Sequence, residues 1–95
     1  MYGSVSRWRA KEGKESELEA LVAEISATPY PGSRSLVVYR SDSDPREYWV
    51  AGVFESRDAY RANSEAPDTS GNFQRLRELM ESDPEWHDGE VVVAR

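Results

Sequence analysis

Two apolar runs and the linker between them decide the fold: Ser33-Arg34-Ser35-Leu36-Val37-Val38-Tyr39-Arg40, then Ser41-Asp42-Ser43-Asp44-Pro45-Arg46, then Glu47-Tyr48-Trp49-Val50-Ala51-Gly52-Val53-Phe54-Glu55. β-Branched and aromatic residues dominate both runs, so each reads as a strand. In the linker, Asp and Ser side chains bond their own backbone and Pro45 cannot donate to a ladder, which makes the pair an antiparallel hairpin. Turn chemistry also accounts for Asp42 and Asp44. A calcium loop needs further oxygen ligands and a glycine at its bend, and neither follows.

Outward from the hairpin, Tyr2 to Ala10 alternates Tyr2, Ser4, Ser6 and Trp8 against Gly3, Val5, Arg7 and Arg9, the pattern of another strand. Leu18, Leu21, Val22 and Ile25 then recur at helical spacing. Glu15, Glu17 and Glu19 occupy the first turns, where the helix dipole favours anions. Pro29 stops this helix near Ala27, and Pro31-Gly32 turns the chain into the hairpin. Beyond the hairpin, Ser56 has the chemistry of an N-cap for a short helix through Tyr60 to about Asn63. Pro67 and Gly71 read as a break. A further amphipathic stretch carries Phe73, Leu76, Leu79 and Met80, and Ser82-Asp83-Pro84 ends it. Glu85 to Gly89, with the single histidine His87, reads as an acidic loop, and Glu90 to Arg95 as the last strand.

The order strand, helix, strand, strand, helix, strand has one dominant solution under right-handed crossovers. It is the ferredoxin-like βαββαβ arrangement, a four-stranded antiparallel sheet with its helices on one face. The whole chain, residues 1–95, is expected to form one domain. A half-solvated sheet alternates apolar and polar residues, yet Leu36 and Val38 oppose Val37 and Tyr39, and Tyr48, Val50 and Phe54 oppose Trp49, Ala51 and Val53. Helices cover one side only, so a second copy is expected to cover the other, giving a homodimer with a barrel between the two sheets.

Composition narrows the function. At 95 residues, a fold buries roughly 60 to 65% of the surface of its unfolded chain, a thin core that favours self-association. The net charge is −6, and the segment from Ser41 onward holds 13 acidic side chains against 6 basic ones. Such a surface repels phosphate backbones, so no nucleic-acid partner is expected. No stretch approaches the ~20 apolar residues of a membrane span and no signal-peptide core is visible, which makes no membrane partner and a cytoplasmic location the expectation. The absence of Cys excludes disulfides and thiolate chemistry. Neither a nucleophile elbow, a phosphate loop nor a dinucleotide fingerprint occurs.

Ser6-Arg7-Trp8-Arg9-Ala10-Lys11-Glu12-Gly13-Lys14, Pro31-Gly32-Ser33, Val37-Val38-Tyr39-Arg40 and the junction from Tyr48 to Tyr60 resemble the antibiotic biosynthesis monooxygenase family of the dimeric α+β barrel superfamily. The resemblance spans nearly the whole chain and implies the dimeric barrel just described. It also implies a cofactor-independent monooxygenase that oxidises a small aromatic or polyketide-like compound with molecular oxygen, without metal, flavin or haem. In such chemistry the substrate supplies the reducing electrons, and the protein deprotonates it, orients it and excludes water. Haem-degrading relatives carry a His that would fall within Ser70 to Gln74, where none stands, and an Asn at the position of Ser6. The position that is commonly Trp at the strand-to-helix junction is Phe54, and Tyr60 matches a pocket Tyr of some oxygenases.

These correspondences, with aromatic side chains able to stack a flat substrate and polar ones able to hydrogen-bond its oxygens, give the expected site. Tyr60, Ser6 and Asn63 are the candidate catalytic or orienting groups, and Phe54, Trp8 and Tyr48 the candidate substrate-binding side chains, in a pocket between sheet and helices beside Phe54 and Tyr60. Each has an ordinary alternative: a core tyrosine for Tyr60, a polar sheet position for Ser6, a helix-end residue for Asn63, and core packing for the aromatic residues. Trp49, on the opposite side of its strand, is expected at the subunit interface. Arg40 reads as an ion pair with Asp42 or Glu47. His87 reads as an exposed imidazole. Two alternative functions remain on the same scaffold, non-catalytic ligand binding or a stress-associated role, and isomerisation.

Overall fold

Strand β1 (Tyr2–Arg9) alternates buried and exposed residues along its length, because it is a central strand with one face against the helices and one face bare. A computed structural model describes all residues from Met1 to Arg95, in the order β1, α1 (Glu15–Ser26), β2 (Ser33–Arg40), β3 (Glu47–Phe54), α2 (Arg57–Glu65), α3 (Pro67–Arg77) and β4 (Glu85–Glu90). The four strands form one sheet in the order β2-β3-β1-β4, with every pairing antiparallel. The fold is the ferredoxin-like α+β arrangement, with three helices rather than two.

The third helix corrects the reading of Pro67 and Gly71 as a break. Ala66, which precedes a proline, is held extended at φ −69° and ψ 136°, so helix α2 ends there. Pro67 then starts α3, since a proline in the first turn forfeits only an N–H that has no partner in any helix. Gly71 is carried inside α3, where it costs about 1 kcal/mol relative to alanine. Ser56 does cap α2, its Oγ accepting from Ala59 N–H at 3.0 Å. Gly32, at φ +90°, turns the chain into β2 so close to α2 that a Cβ there would lie 2.8 Å from Ala59 Cβ.

The last strand is also corrected. It spans Glu85–Glu90, so His87 stands on β4 and not in a loop, while Val91 to Ala94 lie beyond it. The pairing register explains this: Arg7 faces Glu85 and Tyr2 faces Glu90, so β1 runs out as the chain reaches Val91. One last bond joins Val91 N–H to the Met1 carbonyl at 3.0 Å. Val92 and Val93 are then 91% and 77% exposed. Strong β-formers without a partner strand do not make a strand.

Trp8, Leu18, Tyr48, Val50, Leu76 and Met80 close the core between the sheet and α1 and α3. On the helix-free side, cross-strand register aligns Val37, Ala51, Val5 and His87 in one row and Tyr39, Trp49, Arg7 and Glu85 in the next. Val5, Val37 and Tyr39 in these rows are exposed large hydrophobic residues. No helix is long and apolar enough to cross a membrane.

Candidate active site

Because α1 joins β1 to the edge strand β2, it lies across the sheet with a gap on the β2 side. That gap is a cleft of about 730 Å³, a size suited to a small organic ligand. Trp8 and Tyr48 floor it from β1 and β3, Leu36 and Val38 line it from β2, and Leu18 and Val22 from α1. Half of its fourteen lining residues are hydrophobic, and its polar groups gather in two places. Ser26, Ser33, Arg34 and Ser35 occupy one, and Glu19, Arg40 and Tyr48 the other.

The second cluster is tightly ordered. Tyr48 Oη–H donates to Glu19 Oε2 at 2.6 Å, and Arg40 Nη1 donates to the same oxygen at 2.8 Å. Arg40 therefore pairs across the gap with α1 rather than with Asp42 or Glu47. Burial, with the Glu19 carboxylate beside it, pushes the Tyr48 hydroxyl up to about 12, so near neutrality Tyr48 is a hydrogen-bond donor and not a base. Trp8 is fixed from below, its Nε1–H donating to Ser6 Oγ at 2.9 Å. Ser6 is 1% exposed, so it reaches a ligand only through the indole it holds.

The other expected residues stand apart from this cleft. Phe54 packs edge-on against Tyr60, with ring centroids 5.4 Å apart, and Tyr60 packs against Tyr2 at 5.3 Å. Tyr60 Oη–H donates to Asp88 Oδ1 at 3.1 Å, and Ser4 Oγ–H donates to that oxygen at 2.5 Å. Burial raises the Tyr60 hydroxyl above its ordinary range, and the Asp88 carboxylate adds to this. Tyr60 borders a separate dent of about 190 Å³ that also includes Arg57 and Arg61. Asn63 Oδ1 accepts from Thr69 Oγ1 at 2.9 Å and so ties α2 to α3. The six residues thus divide: Trp8, Tyr48 and the supporting Ser6 belong to the α1–β2 cleft, Phe54 and Tyr60 to the α2 side, and Asn63 to the helix junction. No group of three or more His, Asp or Glu side chains converges in a metal-holding arrangement.

Glu19 is the site residue that sequence reading missed. Its place in the first turns satisfied the helix dipole, which hid a second role. The available signal was its position one turn before Val22, at the margin of the apolar stripe.

The antibiotic biosynthesis monooxygenase family model matches residues 1–71, most of the chain and all the elements that build the cleft. The chain belongs to the antibiotic biosynthesis monooxygenase family. A crystal structure bearing the family's name from Chloroflexus aurantiacus J-10-fl has a TM-score of 0.84 and 27% identity, covering 99% of this chain and 95% of that one. A Deinococcus radiodurans structure that bears the same name has a TM-score of 0.87 at 17% identity, covering 100% and 96%. SnoaB from Streptomyces nogalater, a cofactor-independent oxygenase, has a TM-score of 0.85 at 21% identity, covering 98% and 94%. These last two show the shared fold alone. Among curated proteins no match is found.

Proposed function

We propose that this chain is a homodimeric, cofactor-independent monooxygenase acting on a small aromatic or polyketide-like compound bound in the α1–β2 cleft. The observation that carries the reading is the cleft itself: a half-apolar slot floored by Trp8, with a hydrogen-bonded polar cluster at one end. A flat ring system gains contact with the indole and aliphatic walls, while polar substituents find Arg40, Tyr48 and Glu19. In the reaction the ring methylene of an anthrone-type substrate, opposite a ring carbonyl whose enol tautomer is a phenol, becomes a second carbonyl. One oxygen atom of O₂ enters that carbonyl, and the other leaves as water with the two methylene hydrogens. The substrate supplies all the electrons, and the protein's part is to align the ring and keep bulk water from it.

In this reading Trp8 and Tyr48 touch the substrate and Ser6 positions Trp8. Family membership supports the reaction class, and the exposed rows of Val5, Val37 and Tyr39 support the dimer. The proposed setting is the reducing cytoplasm, which a chain without cysteine tolerates.

Oxygen uptake tests the reaction. Chelator-treated protein is expected to consume one O₂ per carbonyl formed from an anthrone substrate, and Leu36→Trp, which fills the cleft, to abolish turnover. Tyr60→Phe is expected to retain it. Loss of turnover in Tyr60→Phe with retention in Leu36→Trp would transfer the chemistry to the α2 side. No uptake across a broad panel, with binding intact, would leave ligand binding without oxidation, the reading favoured by Tyr48 and Arg40 both being already engaged by Glu19 Oε2.

A further inference from the structure

The Glu19 carboxylate is used unevenly. Both donors that reach it, Tyr48 Oη–H and Arg40 Nη1–H, bond to Oε2, and Oε1 has no hydrogen-bond partner. Glu19 is also the sole carboxylate among the residues lining the cleft, which contain no histidine. The two donors hold the side chain from β2 and β3, so the unused oxygen is preorganised before any ligand arrives. An ionised carboxylate oxygen accepts hydrogen bonds and donates none. The cleft therefore offers a half-apolar slot whose polar end combines a held, solvent-accessible acceptor with a neighbouring cation.

We propose that Glu19 Oε1 is the anchoring acceptor for a hydroxyl group on a flat aromatic ligand, and that this contact makes the cleft select hydroxylated rings over their ethers. The proposal rests on the reading that the cleft is the ligand site, and it is independent of whether the ligand is then oxidised. A phenolic O–H donates to Oε1 while the ring lies against Trp8 and the aliphatic wall of Val22, Leu36 and Val38. Arg40 keeps Glu19 charge-paired throughout. An ether or a bare carbonyl brings only acceptors to an acceptor, and desolvates Oε1 without return.

Glu19→Gln gives the sharpest test, because Tyr48 and Arg40 both demand an acceptor. The amide oxygen is drawn to the place of Oε2, so the amide NH₂ takes the place of Oε1 and an acceptor becomes a donor. Titration calorimetry with naphthol and its methyl ether reads the change directly. Wild-type protein is expected to bind naphthol about tenfold or more tightly than the ether, the scale of one hydrogen bond to a charged group. Glu19→Gln is expected to erase or reverse that preference, and Leu36→Trp, at an exposed edge-strand position that tolerates a large side chain, to lose both ligands. Equal affinities in the wild type, no naphthol binding, an unchanged preference in Glu19→Gln, or unaltered binding in Leu36→Trp would each overturn the proposal. Oxygen is not part of the readout. Lost turnover with selectivity intact counts against oxidation alone, and lost selectivity with turnover intact counts against Glu19 alone.

Discussion

Trp8→Ala is expected to lower folding stability by about 3–5 kcal/mol, the range for removing a large buried aromatic side chain. The indole is 6% exposed and packs in the cluster that joins β1 and β3 to α1 and α3. Its loss opens a void beside an existing cleft and leaves Ser6 Oγ buried with no donor to satisfy it. Domains of this size hold only about 5–15 kcal/mol in total, so the variant sits near the threshold of unfolding. Urea denaturation followed by far-ultraviolet circular dichroism measures the loss. Ser6→Ala, which removes the hydrogen bond and keeps the indole, is expected to cost only about 1 kcal/mol. A Trp8→Ala cost below that of Ser6→Ala would mean that the core does not close on the indole.

Paired aspartates on the bare face are expected to have the larger effect on assembly. Val37 and Ala51 are cross-strand partners in one row of that face, with Val37 56% exposed. In a dimer built on a two-fold axis each substitution occurs twice, and like charges meet in a dry interface. Val37→Asp with Ala51→Asp is expected to weaken the proposed dimer by about a thousandfold or more, since each unpaired buried charge costs several kcal/mol. Light scattering at tens of micromolar is expected to give about twice the 10.8 kDa chain mass for wild type and the chain mass for the double variant. A wild-type mass of one chain would remove the dimer from the account.

The parts of the fold legible in the sequence are those fixed by local signals. Alternation placed β1, the linker chemistry placed the β2–β3 hairpin, the stripe from Leu18 to Ile25 placed α1, and the Ser56 hydroxyl capped α2. β4 was not legible because pairing is non-local. Val91 to Ala94 have the stronger β-propensity, but the polar run Glu85 to Glu90 is what lies opposite β1. Pro67 was ambiguous for a similar reason, since a proline that ends one helix also starts the next.

The site divides along the same line. Trp8 and Tyr48 could be placed on the helix side by strand period alone, and register adds that they face each other. Glu19 could not be found that way, because its role depends on Arg40 and Tyr48 reaching it from two other elements. Tyr60 was singled out by resemblance and Asn63 by its capacity to hydrogen-bond a substrate oxygen, and their side chains are engaged by Asp88 and Thr69, away from the cleft.

The claim on which the functional reading turns is that ligand enters between α1 and β2. Titrating ¹⁵N-labelled protein with naphthol and following backbone amide shifts tests it most directly. Changes are expected to concentrate in Leu18 to Ser26, Ser33 to Arg40 and Tyr48. Changes confined to Arg57 to Ser64 and Asp88, or to the Val5–Ala51–Val37 row, would contradict it.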